Sequence, residues 1–325
     1  MSWTSILLAV LFGFAVTLAA GALLLRLLPR FQLRQTAYED APQTHQSKTG
    51  TPTMGGLAIL AALLPPLLLF YSQDRLGEAL VLLVFACAAI GCLDDILGTR
   101  KGHARGLRAR TKYLATALVA IAFLRYVCPI VAHDGNSYPL FAAGSVVVNA
   151  PFWLWLTLGT LAITGTVHAV NLTDGLDGLA AGTVVAPLAA IFAIALSMHE
   201  FGRTSWPLVL PLAIGGCLAF LLYNYHPAKM FMGDTGSLAL GALLAGAAIL
   251  SSEMLLLVVI GGVFVAEALS VILQVAYFKF TRRRIFRMSP LHHHFELSGM
   301  NEAAVTRRFW TASLVCSLVG WAVVR

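Results

Sequence analysis

"GEALVLLVFACAAIGCLDDILG", residues 77–98, carries no charge from Ala79 to Leu93 and then places two aspartates side by side, Asp94 and Asp95. A helix crossing roughly 30 Å of hydrocarbon needs about 17–25 residues of this character. The stretch therefore reads as a membrane span with a pair of carboxylates where it meets water. Similar runs recur along the chain, at 3–26, 54–71, 77–94, 112–131, 152–170, 179–198, 206–224, 236–251, 254–278 and 307–324. The expectation is an all-α, polytopic membrane protein of about ten transmembrane helices.

Composition agrees. The 325 residues are 58% hydrophobic and 11% charged, with a mean hydropathy of +0.81, far from a soluble globular domain. The spans leave no room for a separate soluble domain, so residues 1–325 read as one transmembrane domain. The first span has no basic residue before it and no small-residue cleavage site after it, and reads as retained rather than as a signal peptide. Cys87, Cys92, Cys128, Cys217 and Cys316 are scattered in or beside spans without a Cys-x-x-Cys pair, as packing residues are.

Lysine and arginine set orientation, because they accumulate in cytoplasmic loops. Of the 22 present, all but Arg75, Arg125, Arg203 and Arg325 fall in or near loops that follow odd-numbered spans. Both termini are thereby expected outside (periplasmic) and the odd loops in the cytoplasm. The net charge of +7 is then a cytoplasmic feature, explained mostly by topology and suited also to anionic lipid headgroups or an anionic substrate.

The outer loops are sparse. The longest, around 132–151, reads as a small hairpin or re-entrant element with no chemistry attached. The inner loops collect carboxylates, amides, glycines and histidines. "NLTDGLDGLAAG" (171–182) spaces Asn171, Asp174 and Asp177 three apart, so that a helical turn would bring them roughly onto one face. A turn capped by aspartate would need only one of them. "YNYHPAKMFMGDTGS" (223–237) sets Asp234 among small residues whose amides are accessible, a loop suited to Mg²⁺ bridging to phosphate; capping the following helix is the plainer role.

"MSPLHHHFE" (288–296) holds His292, His293 and His294. Neighbours on a helix diverge by about 100°, so the three fit phosphate hydrogen bonding or positioning better than one shared metal. In "SKTGTPTMGG" (47–56), Lys48, Thr51 and Thr53 can grip phosphate, although the Walker A spacing is absent. Glu267 and Gln274 lie seven apart on one face of the ninth span, and an ionisable group there marks either a site or a pairing with another helix.

Carboxylates at Asp94, Asp95, Asp174, Asp177 and Asp234, with Lys48, Lys112 and the histidines, suit phosphoryl transfer, where the protein contributes mainly positioning and electrostatics. Asp94 and Asp95 face different ways on a helix and so take different roles, such as proton acceptor and ligand or orienter. A transporter is the rival reading from another class. Transport sites tend to lie near the midplane, whereas here only Glu267 is expected well inside.

Taken in order, "GTPTMGG", "LDD", "NLTDGLDG", "YNYHPAKMFMGDTGS" and "PLHHHFE" resemble the polyprenyl-phosphate N-acetylhexosamine-1-phosphate transferases, from Gly50 to Glu296. The unbroken "PLHHHFE" with "PAKMFMGDTGS" is more similar to the muramoyl-pentapeptide branch than to the N-acetylglucosamine branch. The resemblance implies a ten-span enzyme of the bacterial inner membrane, usually a homodimer, with no nucleic-acid partner. Among membrane lipids, it would join phospho-MurNAc-pentapeptide from UDP-MurNAc-pentapeptide to undecaprenyl phosphate, releasing UMP and forming lipid I for the cell wall. A UDP-GlcNAc-using transferase is the nearest alternative.

By the same resemblance, Asp234 is the Mg²⁺ ligand, Asp94 the general base, Asp95 the second aspartate and His292 a further catalytic residue. Lys48, Thr53, Lys112, Asn171, Asp174, Asp177, Asn224, Phe231, Gln274, His293 and His294 fall on substrate-binding positions. The branch commonly carries a lysine where this chain has Gly98, with Arg100 and Lys101 nearby. Direct attack by the lipid phosphate is expected, with an aspartyl-phosphate route as the alternative.

Overall fold

The computed structural model describes residues 3–31, 50–70, 74–100, 106–132, 137–197 and 205–325. All ten apolar runs are helical. They form α1 (Trp3–Leu27), α2 (Gly56–Phe70), α3 (Arg75–Arg100), α4 (Ala109–Val131), α5 (Phe152–Thr173), α6 (Leu179–Thr183) continued by α7 (Val185–Ser197), α8 (Val209–Asn224), α9 (Gly233–Leu250), α10 (Leu257–Ile260) continued by α11 (Gly262–Thr281), and, after α12 (Leu291–Glu296), α13 (Glu302–Val324). Among the described residues, eight helices are long and apolar enough to cross a membrane. The two remaining expected spans are α2, with 15 residues, and α13, whose first turns carry Glu302, Arg307 and Arg308. The chain is an all-α polytopic membrane protein.

The helix α9 forms the centre: every residue from Thr235 to Leu250 is buried. Its alanines and glycines let α3 and α5 approach closely, which is how helices associate where lipid removes the hydrophobic drive between them. At the periphery, α1 presents Leu7, Leu8, Leu11 and Leu23, and α13 presents Leu314, Val315, Leu318 and Val319, all exposed. Such surfaces are stable only against acyl chains. All five cysteines are free thiols.

One end of the bundle is closed by a hairpin and its packing. Residues 137–151 form the expected hairpin, β1 (Ser137–Ala143) antiparallel to β2 (Val146–Pro151), with Tyr138 opposite Ala150. Tyr138 stacks on Trp155 at 5.0 Å, and the Leu255 amide donates to Leu140 O at 3.0 Å. At this end Asp74 caps α3, accepting from Leu76 N and Gly77 N at 3.1 Å each. The opposite end carries the site.

Candidate active site

Four helix termini meet there. Asp94 and Asp95 lie in the last turns of α3, Lys112 in the first turn of α4, Asn171 in the last turn of α5 and Asp234 in the first turn of α9. The ammonium of Lys112 bridges Asp94 Oδ2, at 3.1 Å, and Asp234 Oδ2. Asn171 Nδ2 donates to Asp234 Oδ1 at 2.8 Å and to Ser237 Oγ at 3.0 Å. Asp94 also accepts from Leu107 N at 2.6 Å.

Asp95 behaves differently from its neighbour, as adjacent residues on a helix should. It accepts from Asp234 N at 3.1 Å, Thr235 N at 3.0 Å and Thr235 Oγ1 at 2.6 Å. These amides open α9 and have no partner within that helix, so Asp95 caps it from another helix. Gly233, at φ +74°, lets the chain turn into α9 against Asp95, since a Cβ there would lie 2.6 Å from Asp95 Oδ2. Asp95 is thus an orienter of Asp234, and Asp94 keeps the more accessible side.

The 171–178 segment departs from expectation. Asn171, Asp174 and Asp177 do not share a helix face, because α5 ends at Thr173 and the two Asp-Gly steps turn the chain, with Gly178 at φ +73°. Asn171 turns to Asp234, while Asp177 turns to the far side of the segment. Its carboxylate meets His226 Nδ1 at 3.1 Å and accepts from Ala228 N at 3.0 Å. Its own amide donates to Glu302 Oε1 at 2.7 Å. Asp177, His226 and Glu302 are, among the described residues, the group whose ligand atoms come close enough to share one ion. Sequence reading passed over His226 and Glu302. His226 stood inside a quoted motif, and Glu302 follows the N-cap Asn301, but nothing local tied either to Asp177.

Several expected contacts are spent on the protein's own backbone. Asn224 Oδ1 accepts from Gly178 N at 3.1 Å and its Nδ2 donates to Met230 O at 2.9 Å, joining two loops of the site. Gln274 Oε1 accepts from Ile285 N and Phe286 N at 2.9 and 3.0 Å, and its Nε2 donates to Phe286 O. His294 Nδ1 accepts from Arg287 N at 3.1 Å, and His293 Nδ1 faces Glu296 at 3.2 Å. Thr53 is buried, and its loop pairs with the chain around Phe231: Phe231 N donates to Pro52 O and Gly55 N to Phe231 O, both at 2.8 Å. Lys48 lies outside the described residues. Gly98 stands beside Gly106, and Lys101 lies outside the described residues.

Glu267 is paired rather than stranded. After Arg282 reverses the chain at the end of α11, residues 285–292 run back along that helix, Phe286 meeting Gln274 and His292 meeting Glu267. The pair therefore sits at the depth of the site, about 21 Å below the end of α11 at 1.5 Å per residue.

The electrostatics favour a cation. Lys112 is ion-paired to Asp94 and Asp234. Burial first, and then the charges of Asp234, Asp95 and Asp177, push the Asp174 carboxyl up to about 8. Carboxylate oxygens gathered in this way are the type of hard donor a divalent ion such as Mg²⁺ takes.

A glycosyl transferase family 4 model matches residues 78–252, and the first phospho-N-acetylmuramoyl-pentapeptide-transferase signature matches residues 48–60. The phospho-N-acetylmuramoyl-pentapeptide-transferase of Desulforamulus reducens is 44% identical over 324 residues, which cover 98% of this chain and 96% of the relative. Those of Desulforudis audaxviator (43% over 322 residues, 95% of each) and Rubrobacter xylanophilus (41% over 323 residues, 98% and 96%) are similar throughout as well. The chain belongs to the phospho-N-acetylmuramoyl-pentapeptide-transferase family, within glycosyl transferase family 4.

Proposed function

We propose that this protein transfers phospho-MurNAc-pentapeptide from UDP-MurNAc-pentapeptide to undecaprenyl phosphate, forming lipid I and UMP. The reaction takes place at the cytoplasmic face of the bacterial inner membrane, and the enzyme is a Mg²⁺-dependent homodimer. The observation that carries the reading is the bridge from Asp94 through Lys112 to Asp234, with Asn171 on Asp234. It gathers acid, base and cation from four helices at one end of the bundle. A transport path has no such reason to collect its polar groups at one face.

In the reaction, a phosphate oxygen of the lipid attacks the phosphorus that carries the sugar. The new P–O bond forms as the bond to UMP breaks, and the displaced electrons leave on the UMP phosphate. Asp94 accepts the proton of the lipid phosphate. Lys112 stabilises charge on the diphosphate, in place of its resting partners. Asp95 holds the amides that open α9 and so fixes where Asp234 stands. Asp234, with Asp174 beside it, would hold Mg²⁺, which supplies charge neutralisation of the diphosphate when bound. Direct attack needs no covalent enzyme intermediate, and enzyme mixed with donor alone should release no stoichiometric UMP.

The test is transfer of radiolabel from UDP-MurNAc-pentapeptide into butanol-extractable lipid, with undecaprenyl phosphate and Mg²⁺, beside UDP-GlcNAc as competitor donor. Mg²⁺-dependent labelling from the muramoyl donor alone is expected. Equal or preferential use of UDP-GlcNAc, or no lipid product, would overturn the reading.

A further inference from the structure

Glu267 of α11 and His292 of α12 are both wholly buried, at 0% exposure each. Glu267 Oε1 accepts the backbone N–H of His292 at 3.2 Å, and Oε2 faces ring Nδ1 at 3.2 Å. One carboxylate therefore fixes both the backbone and the ring of the same residue. The other ring nitrogen, Nε2, is buried with no hydrogen-bond partner among the described residues. It points at the turn bearing Asp174, so closely that a Cβ at Gly175 would lie 2.3 Å away. A buried polar atom without a partner costs about 1–3 kcal/mol and calls for an explanation, and this one lies against the turn of the site. His293, stacked on His292 at 4.2 Å between ring centres, has its own carboxylate in Glu296 and does not compete for Glu267.

We infer that Glu267 is a positioning residue for the transfer reaction, holding the proton of His292 on Nδ1 and keeping Nε2 as a bare acceptor aimed at the Asp174–Gly175 turn. The physical basis is that a ring nitrogen facing a carboxylate carries the proton, which leaves the lone pair on the opposite nitrogen. Nε2 then accepts a hydrogen bond from a donor group of the nucleotide–sugar substrate where that substrate meets the turn. The inference rests on the transferase reading above and adds to it a residue that acts only through His292.

Glu267→Gln separates this role from a structural one. Its carbonyl oxygen still accepts the His292 amide, so packing and the backbone bond survive. Its –NH₂ now faces Nδ1 and donates, which moves the ring proton to Nε2. In nanodiscs containing ¹⁵N-histidine-labelled protein, wild-type His292 should show a protonated Nδ1 and a bare Nε2, and the variant the reverse. The variant should lose kcat/KM for the donor by on the order of 10- to 100-fold, with kcat lowered as well, the usual effect of removing an outer partner of a site residue. A proton on Nε2 in the wild type, a doubly protonated ring, or a variant with wild-type kcat/KM would each overturn the inference. If the variant fails to fold, the wild-type spectrum decides alone. Absence of transfer by the wild type would instead count against the proposed function, and leaves the spectrum to judge the pair.

Discussion

Asp95→Ala separates a structural from a chemical duty within the aspartate pair. The substitution removes the acceptor of Asp234 N, Thr235 N and Thr235 Oγ1. The hydroxyl can turn elsewhere, but two backbone donors are stranded at about 1–3 kcal/mol each. Removing the Asp95 charge also relieves its repulsion with Asp234, which returns about 1 kcal/mol. The balance is a destabilisation of about 3 kcal/mol, above the usual ~1 kcal/mol for a lost N-cap because the site is partly buried. At ~2–4 °C per kcal/mol, the apparent unfolding midpoint should fall by roughly 6–12 °C. Cys87 and Cys217 are wholly buried, so a thiol-reactive fluorophore at a fixed heating rate reports the opening of the bundle. Asp94→Ala strands one amide, Leu107 N, and should cost about 1 kcal/mol. An Asp95→Ala midpoint within 2 °C of wild type, or an equal fall for both variants, would refute the capping role.

Asp94→Asn should lower turnover by about 10²–10⁴-fold, the usual worth of a positioned base, while UDP-MurNAc-pentapeptide still binds in calorimetry. Wild-type turnover would remove Asp94 as the proton acceptor. Asp234→Ala should abolish transfer and leave no Mg²⁺ response; near-normal rates at saturating donor would count against Asp234 as the metal ligand. Glu253, 1% exposed at the hairpin end, is pushed up to about 8 by burial, with the Ala142 backbone an opposing influence. The folded state binds this proton more tightly than the unfolded chain, so stability should fall as pH rises from the ordinary glutamate range through 8. Glu253→Gln should lessen that decline between about pH 5 and pH 8, and parallel stability–pH profiles for the two proteins would contradict it.

Much of the architecture was open to reading along the chain. The apolar runs located the helices because the hydrocarbon thickness is a constraint each segment meets by itself. The hairpin at 137–151 announced itself by its place in a long polar connection, and the cysteines by their scatter. The five aspartates of the site were visible as charges where charge is scarce, while Glu302 was not singled out. Partnerships were not visible. Asp95 and Asp94 look equivalent on paper, and only the arrival of the α9 terminus makes one a cap. Asn171, Asp174 and Asp177 keep a helical spacing, but the Asp-Gly turns end the helix between them. Glu267 read as a charge within a span, until the returning 285–292 chain brought His292 to it.

What the sequence determined by itself was the one-dimensional part: which segments cross the membrane and which residue types gather between them, since each follows from local composition against a solvent of fixed depth. The tertiary structure alone decided who faces whom. Lys112 meets Asp234 across 122 positions and Asp95 meets Thr235 across 140. No local propensity encodes those meetings, because they are set by how closely the small residues of α9 let α3 and α5 approach.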